Sequence, residues 1–329
     1  MNPSSQRKYT TKTVCVDSLF RENHNDTQSS DFVYTLPVSI NNVTSMRLVM
    51  SEIPYTWYTF SKAMKNNSFT VKLFNPFVTE SSLNVFNIEI PDGNYLSEDL
   101  ETVINNIFLN IGQGLDLLIF KINFNSGKCC FRLRTNFDTI KLKEVLEYYR
   151  DYIAIDDLPD EFYDNFSYEL YFHLENPNQP LYRTAGWTLG FTYESYQVFA
   201  GDVINYSDSL NGYQNYYYLI EGESTYGNGR LNYFFIDVDD FNNNFNSDTI
   251  VSKTSSSYLG KNIIARISVD NGANAIITSD NSGIIKKQRE YFGPVTINKL
   301  HIRIVDKYGQ LIQFNSNDYS LVFEMDVLL

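Results

Sequence analysis

The sequence predicts a mainly β fold, a jelly-roll-like antiparallel β-sandwich with an α+β insertion. Three observations support this prediction. Apolar and polar residues alternate with a period of two through 298–305 and 319–327, as they do in half-buried strands. The chain has 25 tyrosines and 24 phenylalanines against two tryptophans, and these two residue types favour strands. One stretch, 97–111, changes to the helical period, which indicates an insertion into an otherwise β chain.

Alternation and the turn residues between apolar runs define about eight principal strands outside the insertion. They are 31–36, 43–53, 68–74, 85–90, 231–238, 262–269, 298–305 and 319–327. Eight antiparallel strands in two facing sheets make a jelly roll, and a terminal strand such as 319–327 is usually held in the sheet. A double jelly roll and two separate β domains are the competing architectures.

The insertion begins with an amphipathic helix. Ser97 is the predicted N-cap, and glycines at 112 and 114 end the helix. Its apolar positions follow the helical spacing: Leu100, Val103, Ile104, Ile107, Phe108 and Ile111. A hairpin of 117–124 and 128–135 and a shorter helix near 142–149 should follow, and 186–191 should form a compact strand or turn.

These elements predict three regions. Residues 1–12 are a flexible N-terminal arm. Residues 13–91 and 192–329 form the jelly-roll β-sandwich. Residues 92–191 are an inserted helix-hairpin-helix region, in which the acidic, proline-punctuated stretch 151–180 is a surface excursion.

Charge and cysteine content exclude several classes of protein. The net charge is −13 and the pI is about 4.7, so the body of the protein should not bind nucleic acid, which requires a positive field. Three cysteines, Cys15, Cys129 and Cys130, do not make a disulfide framework and favour a reducing compartment. The polar N-terminus predicts no signal peptide, and no apolar run approaches the ~20 residues of a membrane span.

No motif predicts catalytic, cofactor-binding or metal-binding residues. Asp237, Asp239 and Asp240 could gather a cation, but they lack the spacing of a calcium loop. The glycine-bearing loop 222–229 has no Lys-Ser/Thr pair and no helix after it, so it is not a phosphate cradle. The three histidines are isolated from one another in sequence: His24, His173 and His301. We therefore predict that the chain is not an enzyme and has no cofactor.

A series of short motifs nevertheless runs through the chain in a fixed order. The series is Asp17-Ser18-x-x-Arg21, Ser51-Glu52-Ile53-Pro54 with Trp57-Tyr58, Ile90-Pro91-Asp92-Gly93-Asn94-Tyr95, Gly186-Trp187-Thr188-Leu189-Gly190-Phe191, Asp239-Asp240-Phe241-Asn242-Asn243, Tyr291-Phe292-Gly293-Pro294-Val295, and Asp306-Lys307-Tyr308-Gly309 with Asp318-Tyr319-Ser320. In this order, from about residue 13 to 329, it resembles the minor capsid or capsid-associated proteins of nucleocytoplasmic large DNA viruses, the giant viruses.

The resemblance implies a structural component of an icosahedral virion that is assembled in the host cytoplasm. Its implied partners are the major capsid protein and other minor capsid proteins, with which it would be oligomeric, and the family has no active site to transfer. On this hypothesis the chain cements or bridges major capsid units, or occupies a special lattice position such as a vertex. The arm 1–12, the excursion 151–175 and the tyrosine-rich run 213–218 are candidate contact surfaces.

The sequence is also compatible with two other classes of function. A receptor- or glycan-binding attachment protein would present an exposed aromatic platform, for which Trp57-Tyr58 is the candidate. A hydrolase on a β-sandwich would bring two carboxylates together in a cleft, which sequence spacing cannot reveal.

Overall fold

The computed structural model of the protein describes residues 8–74, 85–134, 167–198, 203–208, 212–217, 219–227, 229–245, 260, 262–270, 272–279 and 288–329, with the backbone alone for 203–208 and 212–217. The fold is mainly β and antiparallel, a jelly-roll-like sandwich with an α+β insertion, as predicted. The predicted helix 142–149 lies outside the described residues, as do 1–7 of the predicted arm and most of the excursion 151–180.

The described strands are, in chain order, β1 (Tyr9–Asp17), β2 (Asp31–Pro54), β3 (Ser68–Phe74), β4 (Val85–Glu89), β5 (Leu118–Ile122), β6 (Lys128–Leu133), β7 (Ser167–Tyr171), β8 (Ser195–Val198), β9 (Val203–Asp208), β10 (Gly212–Tyr217), β11 (Ile220–Thr225), β12 (Tyr233–Asp239), β13 (Ile263–Ser268), β14 (Ile276–Ser279), β15 (Arg289–Asp306) and β16 (Ser320–Leu328). The α-helices are α1 (Ser97–Ile111) and α2 (Ala185–Leu189).

The chain divides into two compact units. The first comprises Met1–Trp57 and Leu231–Leu329, and the second is Tyr58–Arg230. The first contains a seven-stranded antiparallel sheet in the order β1-β16-β2-β15-β12-β13, with β14 paired to β2. Its core consists of the inward-facing residues of these strands, among them Met46, Ile302 and Phe323, none of which is exposed to solvent.

Two long strands give this sheet its curvature. The sequence predicts separate strands at 31–36 and 43–53, because Pro37 cannot donate to a ladder. The structure instead continues β2 through Pro37, which lies where the β2–β15 register shifts between Thr35↔Lys299 and Ile40↔Ile297. A proline fits there because the ladder is already interrupted, and a bulged strand bends. The predicted strand 298–305 is likewise the second half of an 18-residue strand, β15.

The second unit packs two smaller sheets and α1 around its own core. The sheet orders are β4-β3-β7-β8 and β11-β6-β5, and β9 pairs with β10. Helix α1 is confirmed, and its predicted apolar stripe faces this core through Leu100, Ile104 and Phe108, which are fully buried. The helix starts one residue earlier than predicted: Leu96 is the N-cap, without a side-chain hydrogen bond, and Ser97 is the first helical residue.

These compact units differ from the regions expected from sequence. Strands β3 and β4, which the sequence pattern assigns to the jelly roll, pair with each other, and β3 also pairs with β7. Both strands share the core of α1. The eight strands counted from sequence therefore belong to two sheets in two units. Period-two alternation identifies a strand with one buried face, but it does not specify the sheet that the strand joins. Residues 9–12 of the predicted arm form the start of β1.

Candidate interaction site

The Asp17-Ser18-x-x-Arg21 motif joins the first strand to the last. Strand β1 pairs with β16 along its whole length, from Tyr9↔Leu328 to Asp17↔Ser320. Beyond this ladder, Asp318 Oδ1 accepts hydrogen bonds from Ser18 Oγ at 2.7 Å and from Arg21 Nη1 at 2.6 Å. The Ser18 amide also donates to the Tyr319 carbonyl at 2.9 Å. We call Ser18, Arg21 and Asp318 the Asp318 cluster, and its arrangement indicates a structural role for this motif.

The Asp318 cluster should make stability depend on pH. Burial alone would raise the pKa of Asp318, but hydrogen bonds from Ser18 and Arg21, with the Arg21 charge, lower it below the usual 3.8. The stabilisation is therefore fully present above about pH 4 and is lost as the pH falls through the lower, folded pKa. We expect Asp318→Asn to cost about 1.5–3 kcal/mol at pH 7, the range for a hydrogen bond to a charged group, and less at pH 3.

Urea denaturation of the wild type and Asp318→Asn at pH 7, 5, 4 and 3 measures this difference. The two free energies of unfolding should converge below pH 4. A difference that stays constant down to pH 3 would show that the Asp318 charge contributes nothing to stability.

Two other motifs, 239–243 and 291–295, run beside each other although they are far apart in the chain. Tyr291 and Phe245 form an isolated antiparallel bridge, and the Phe292 amide donates to the Asn244 carbonyl at 3.0 Å. Asn242 Nδ2 also donates to the Thr296 carbonyl at 3.4 Å. Both motifs are visible in the sequence, but the sequence does not reveal that they are neighbours in the fold.

A buried polar cluster lies beneath these paired segments. Asp240 Oδ2 accepts hydrogen bonds from Arg289 Nη1 at 2.8 Å and from the Tyr291 hydroxyl. Arg289 Nη2 donates to the carbonyls of Val238 and Asn262, at 2.8 and 3.1 Å. Burial, followed by the Asp240 charge, raises the pKa of Tyr291 well above its usual value, so the phenol stays protonated as a donor. We call Asp240, Arg289 and Tyr291 the Asp240 cluster.

The Asp240 cluster supports two exposed aromatic side chains. Phe241 is 49% exposed and Phe292 is 76% exposed. Phe241 has a φ of +61°, a left-handed conformation that is rare for a bulky residue. Its amide donates to Asp239 Oδ1 at 2.8 Å, and the next amide donates to Asp240 Oδ1 at 2.9 Å, so two Asx turns hold this backbone.

We call Phe241 and Phe292 the aromatic surface. The Lys299 ammonium lies 4.2 Å from the centre of the Phe241 ring and orients it further. Strained backbone that is strongly supported by its surroundings is a mark of functional positions, and aromatic residues are enriched at protein interfaces. The aromatic surface is therefore the candidate contact site of the first unit.

Three further motifs form turns and caps. Asn94 Oδ1 accepts from the amide and the hydroxyl of Thr59, at 2.9 and 2.7 Å. Residues 186–191, which the sequence predicts as a strand or turn, contain α2 instead, because Thr184 accepts from the Trp187 amide and Gly190 ends the helix at a φ of +92°. Asp306 Oδ1 accepts from the amides of residues 308 and 310 and closes the turn between β15 and β16.

Two of the three carboxylates considered for a cation, Asp237 and Asp240, are engaged with arginines, and Asp239 accepts from the Phe241 amide. Asp237 accepts from Arg303 Nη2 at 3.0 Å, whereas Asp240 is paired with Arg289. Among the residues that the structure describes, no group of three or more His, Cys, Asp or Glu side chains is arranged to hold a metal ion. His301 lies on the sheet with its Nε2 2.6 Å from Asp31 Oδ1, and its side chain is 31% exposed.

Trp57, the candidate aromatic platform of an attachment protein, is buried. Only 6% of it is exposed, and it stacks on Tyr55 with ring centroids 4.2 Å apart. Its edge contacts with Phe234 and Phe314 place it inside the core of the first unit. The expected Trp57-Tyr58 platform is therefore wrong, because the apolar indole fills the core and leaves Tyr58 as the exposed member of the pair, at 40%.

The three cysteines are free, and they lie in different surroundings. Cys15 is exposed on β1, whereas Cys129 and Cys130 are buried in β6. Burial raises the pKa of Cys130 to about 12, so this thiol is an unreactive part of the core. Within the described parts of the chain, no helix has the length and apolar character needed to cross a bilayer.

Comparison with known proteins gives structural matches alone. No protein-family model matches the chain, and no curated protein matches it. The chain is similar to the mavirus penton protein, with 10% sequence identity and a TM-score of 0.45 over 98% of this chain and 100% of that chain. It is also similar to a chain of the Sputnik virophage, solved by cryo-EM, with 15% identity and a TM-score of 0.38 over 96% and 98%. Both structures are viral, but TM-scores below 0.5 carry no functional argument.

Proposed function

We propose that this chain is a structural component of a virion, a minor capsid protein of the giant-virus type. It bridges or cements major capsid units or occupies a special lattice position, and its partners are the major capsid protein and other minor capsid proteins. The protein is located in the virion, which is assembled in the host cytoplasm. The proposal starts from the motif series that resembles such proteins.

One observation carries the proposal: motifs of that series form hydrogen-bonded clusters, and the residues next to one of these clusters include exposed aromatic side chains. The carboxylates of Asp240 and Asp318 are occupied by intramolecular donors, and the Asp240 side chain has no exposure to solvent. Such groups stabilise strand ends rather than perform catalysis, which supports a role other than that of an enzyme. Exposed aromatic side chains next to a buried cluster suit contact with another protein.

Quantitative mass spectrometry of density-purified particles from the source virus tests the virion role. With the major capsid protein as internal standard, we expect this chain at a fixed fractional stoichiometry that resists salt washing. Abundance in infected-cell lysate together with absence from the particles would overturn the proposal.

The aromatic surface gives a prediction about the contact itself. We expect the double variant Phe241→Ala with Phe292→Ala to bind the purified major capsid protein at least about tenfold more weakly than the wild type, because truncated aromatic anchors commonly cost 2 kcal/mol or more. Biolayer interferometry measures the affinity. Phe20→Ala is the matched control, since Phe20 is also strongly exposed, at 72%, in the same unit.

The control variant should bind like the wild type. Equal affinities for the wild type and both variants would show that the aromatic surface takes no part in the contact. The particle stoichiometry would still test the virion role independently.

A further inference from the structure

Strand β1 is a terminal strand whose outer edge is paired with no other described strand. It follows β16 at the end of the seven-stranded sheet. Two hydrogen bonds to the β16 side show which way its backbone groups point: Leu329 N donates to Lys8 O, and Ser18 N donates to Tyr319 O. In an antiparallel ladder, alternate residues direct both N–H and C=O to the same side. Even-numbered residues therefore bond to β16, and odd-numbered residues face outward: Tyr9, Thr11, Thr13, Cys15 and Asp17.

This edge lacks three of the features that usually prevent strand pairing, although Lys12 and Asp17 place charges on the strand. Exposed edges are commonly blocked by proline, by a bulge or by a very short strand. Strand β1 has nine residues, no proline and an unshifted register with β16. It is also rich in residues that favour strands, with three threonines and two valines within it. The opposite terminal strand of the sheet, β13, has six residues and is mostly buried.

We propose that two copies of this chain pair through β1, antiparallel, about a two-fold axis at Thr13. In this register Thr13 faces Thr13 of the second copy, Thr11 faces its Cys15, and Tyr9 faces its Asp17. All outward N–H and C=O groups of both strands then find a hydrogen-bonding partner. Centring the pair on Thr11 or Cys15 shortens the overlap and leaves some of these groups unpaired.

The charges of the strand favour a second copy as the occupant. Within Tyr9–Asp17 the ionisable side chains are one lysine, one aspartate, a tyrosine and a cysteine. With the axis at Thr13, Lys12 faces Val14 of the second copy and Asp17 faces its Tyr9, so no like charges are directly opposed; the two Lys12 side chains are diagonal neighbours. The two sheets become one continuous sheet across the axis, an isologous contact of the type that closes a dimer.

The net charge of the chain predicts how the dimer responds to salt. Each copy carries −13, so the two copies repel each other at long range. Screening weakens this repulsion, and the dimer should therefore tighten between 20 and 300 mM salt, concentrations that span Debye lengths from about 20 to about 6 Å.

Sedimentation equilibrium of the purified full chain tests the proposal. We expect a reversible monomer–dimer equilibrium in the wild type and dimerisation at least about tenfold weaker in Thr13→Pro, because proline removes the central outward N–H and spares the bonds to β16. Thr13→Ser keeps that N–H and is the matched control. Circular dichroism establishes that each variant is folded.

Disulfide cross-linking tests the register without requiring a proline. In a Cys15→Ser background, Thr13→Cys should give a covalent dimer on mild oxidation, because directly opposed strand residues lie within disulfide reach. Thr11→Cys with the native Cys15 should also cross-link, whereas wild-type Cys15 should not, because the two Cys15 residues are offset along the strands. Glu52→Cys, an exposed position on β2, is the control.

The proposal concerns the isolated protein and does not depend on the virion role. A wild type that stays monomeric at all concentrations, together with Thr13→Cys cross-linking no better than Glu52→Cys, would overturn it. Cross-linking of wild-type Cys15 in place of Thr13→Cys would overturn the register.

Discussion

Replacing Asp240 with alanine should lower the free energy of unfolding of the first unit by about 3–5 kcal/mol, the cost of removing one partner from a buried ion pair. The variant leaves the Arg289 guanidinium, 4% exposed at its side chain, without its carboxylate. The Tyr291 hydroxyl loses its acceptor as well. Arg289 would keep its bonds to two backbone carbonyls, but these do not neutralise its charge.

Urea denaturation monitored by circular dichroism measures this loss, and hydrogen exchange of β12 and β15 assigns it to the first unit. Glu324→Ala is the matched control, because it also breaks an arginine–carboxylate pair in the same sheet. The Arg47 and Glu324 side chains are 43% and 29% exposed, so this change should cost at most about 1 kcal/mol. Equal losses in the two variants would contradict the central role of the Asp240 cluster.

Replacing Phe131 with alanine should destabilise the second unit by about 3–5 kcal/mol, through lost burial and the cavity that remains. Phe131 is fully buried on β6. Its ring lies 5.6 Å from Phe69 on the other sheet, 6.3 Å from Phe108 on α1 and 5.0 Å from Phe120 on β5. One side chain therefore holds together both sheets and the helix of this unit.

The same hairpin supplies the control. Phe124, between β5 and β6, is 90% exposed, so Phe124→Ala should change stability by less than about 0.5 kcal/mol. Hydrogen-exchange protection of 118–133 should collapse at lower urea in Phe131→Ala and stay unchanged in Phe124→Ala. If Phe131→Ala kept wild-type protection, the two sheets would not depend on this ring.

Local sequence patterns predict those elements whose residues contact near neighbours in the chain. The apolar spacing of 97–111 predicts α1 because a helix brings every third or fourth residue to one face. The hairpin of β5 and β6 follows from its flanking alternation and from Gly127, whose φ is +68°. The same reasoning placed a strand at 319–327, now β16.

These local patterns do not predict contacts between segments that are distant in the chain. The sequence predicts that a strand ends at Pro37, yet β2 continues because the proline coincides with a register shift. The sequence also suggests Trp57 as part of an exposed platform, yet the indole is enclosed by Tyr55, Phe234 and Phe314. Both differences arise because the decisive neighbours are distant in the chain and leave no periodic signal.

Backbone preferences and local spacing are enough to predict that the protein is mainly β, to locate its principal strands and first helix, and to identify its series of short motifs. The folded chain is needed to show which sheet each strand joins, that Asp240 meets Arg289 and Tyr291, and that β1 is an edge among the described strands. This is because strand hydrogen bonds and buried ion pairs are made between segments that the chain brings together only on folding.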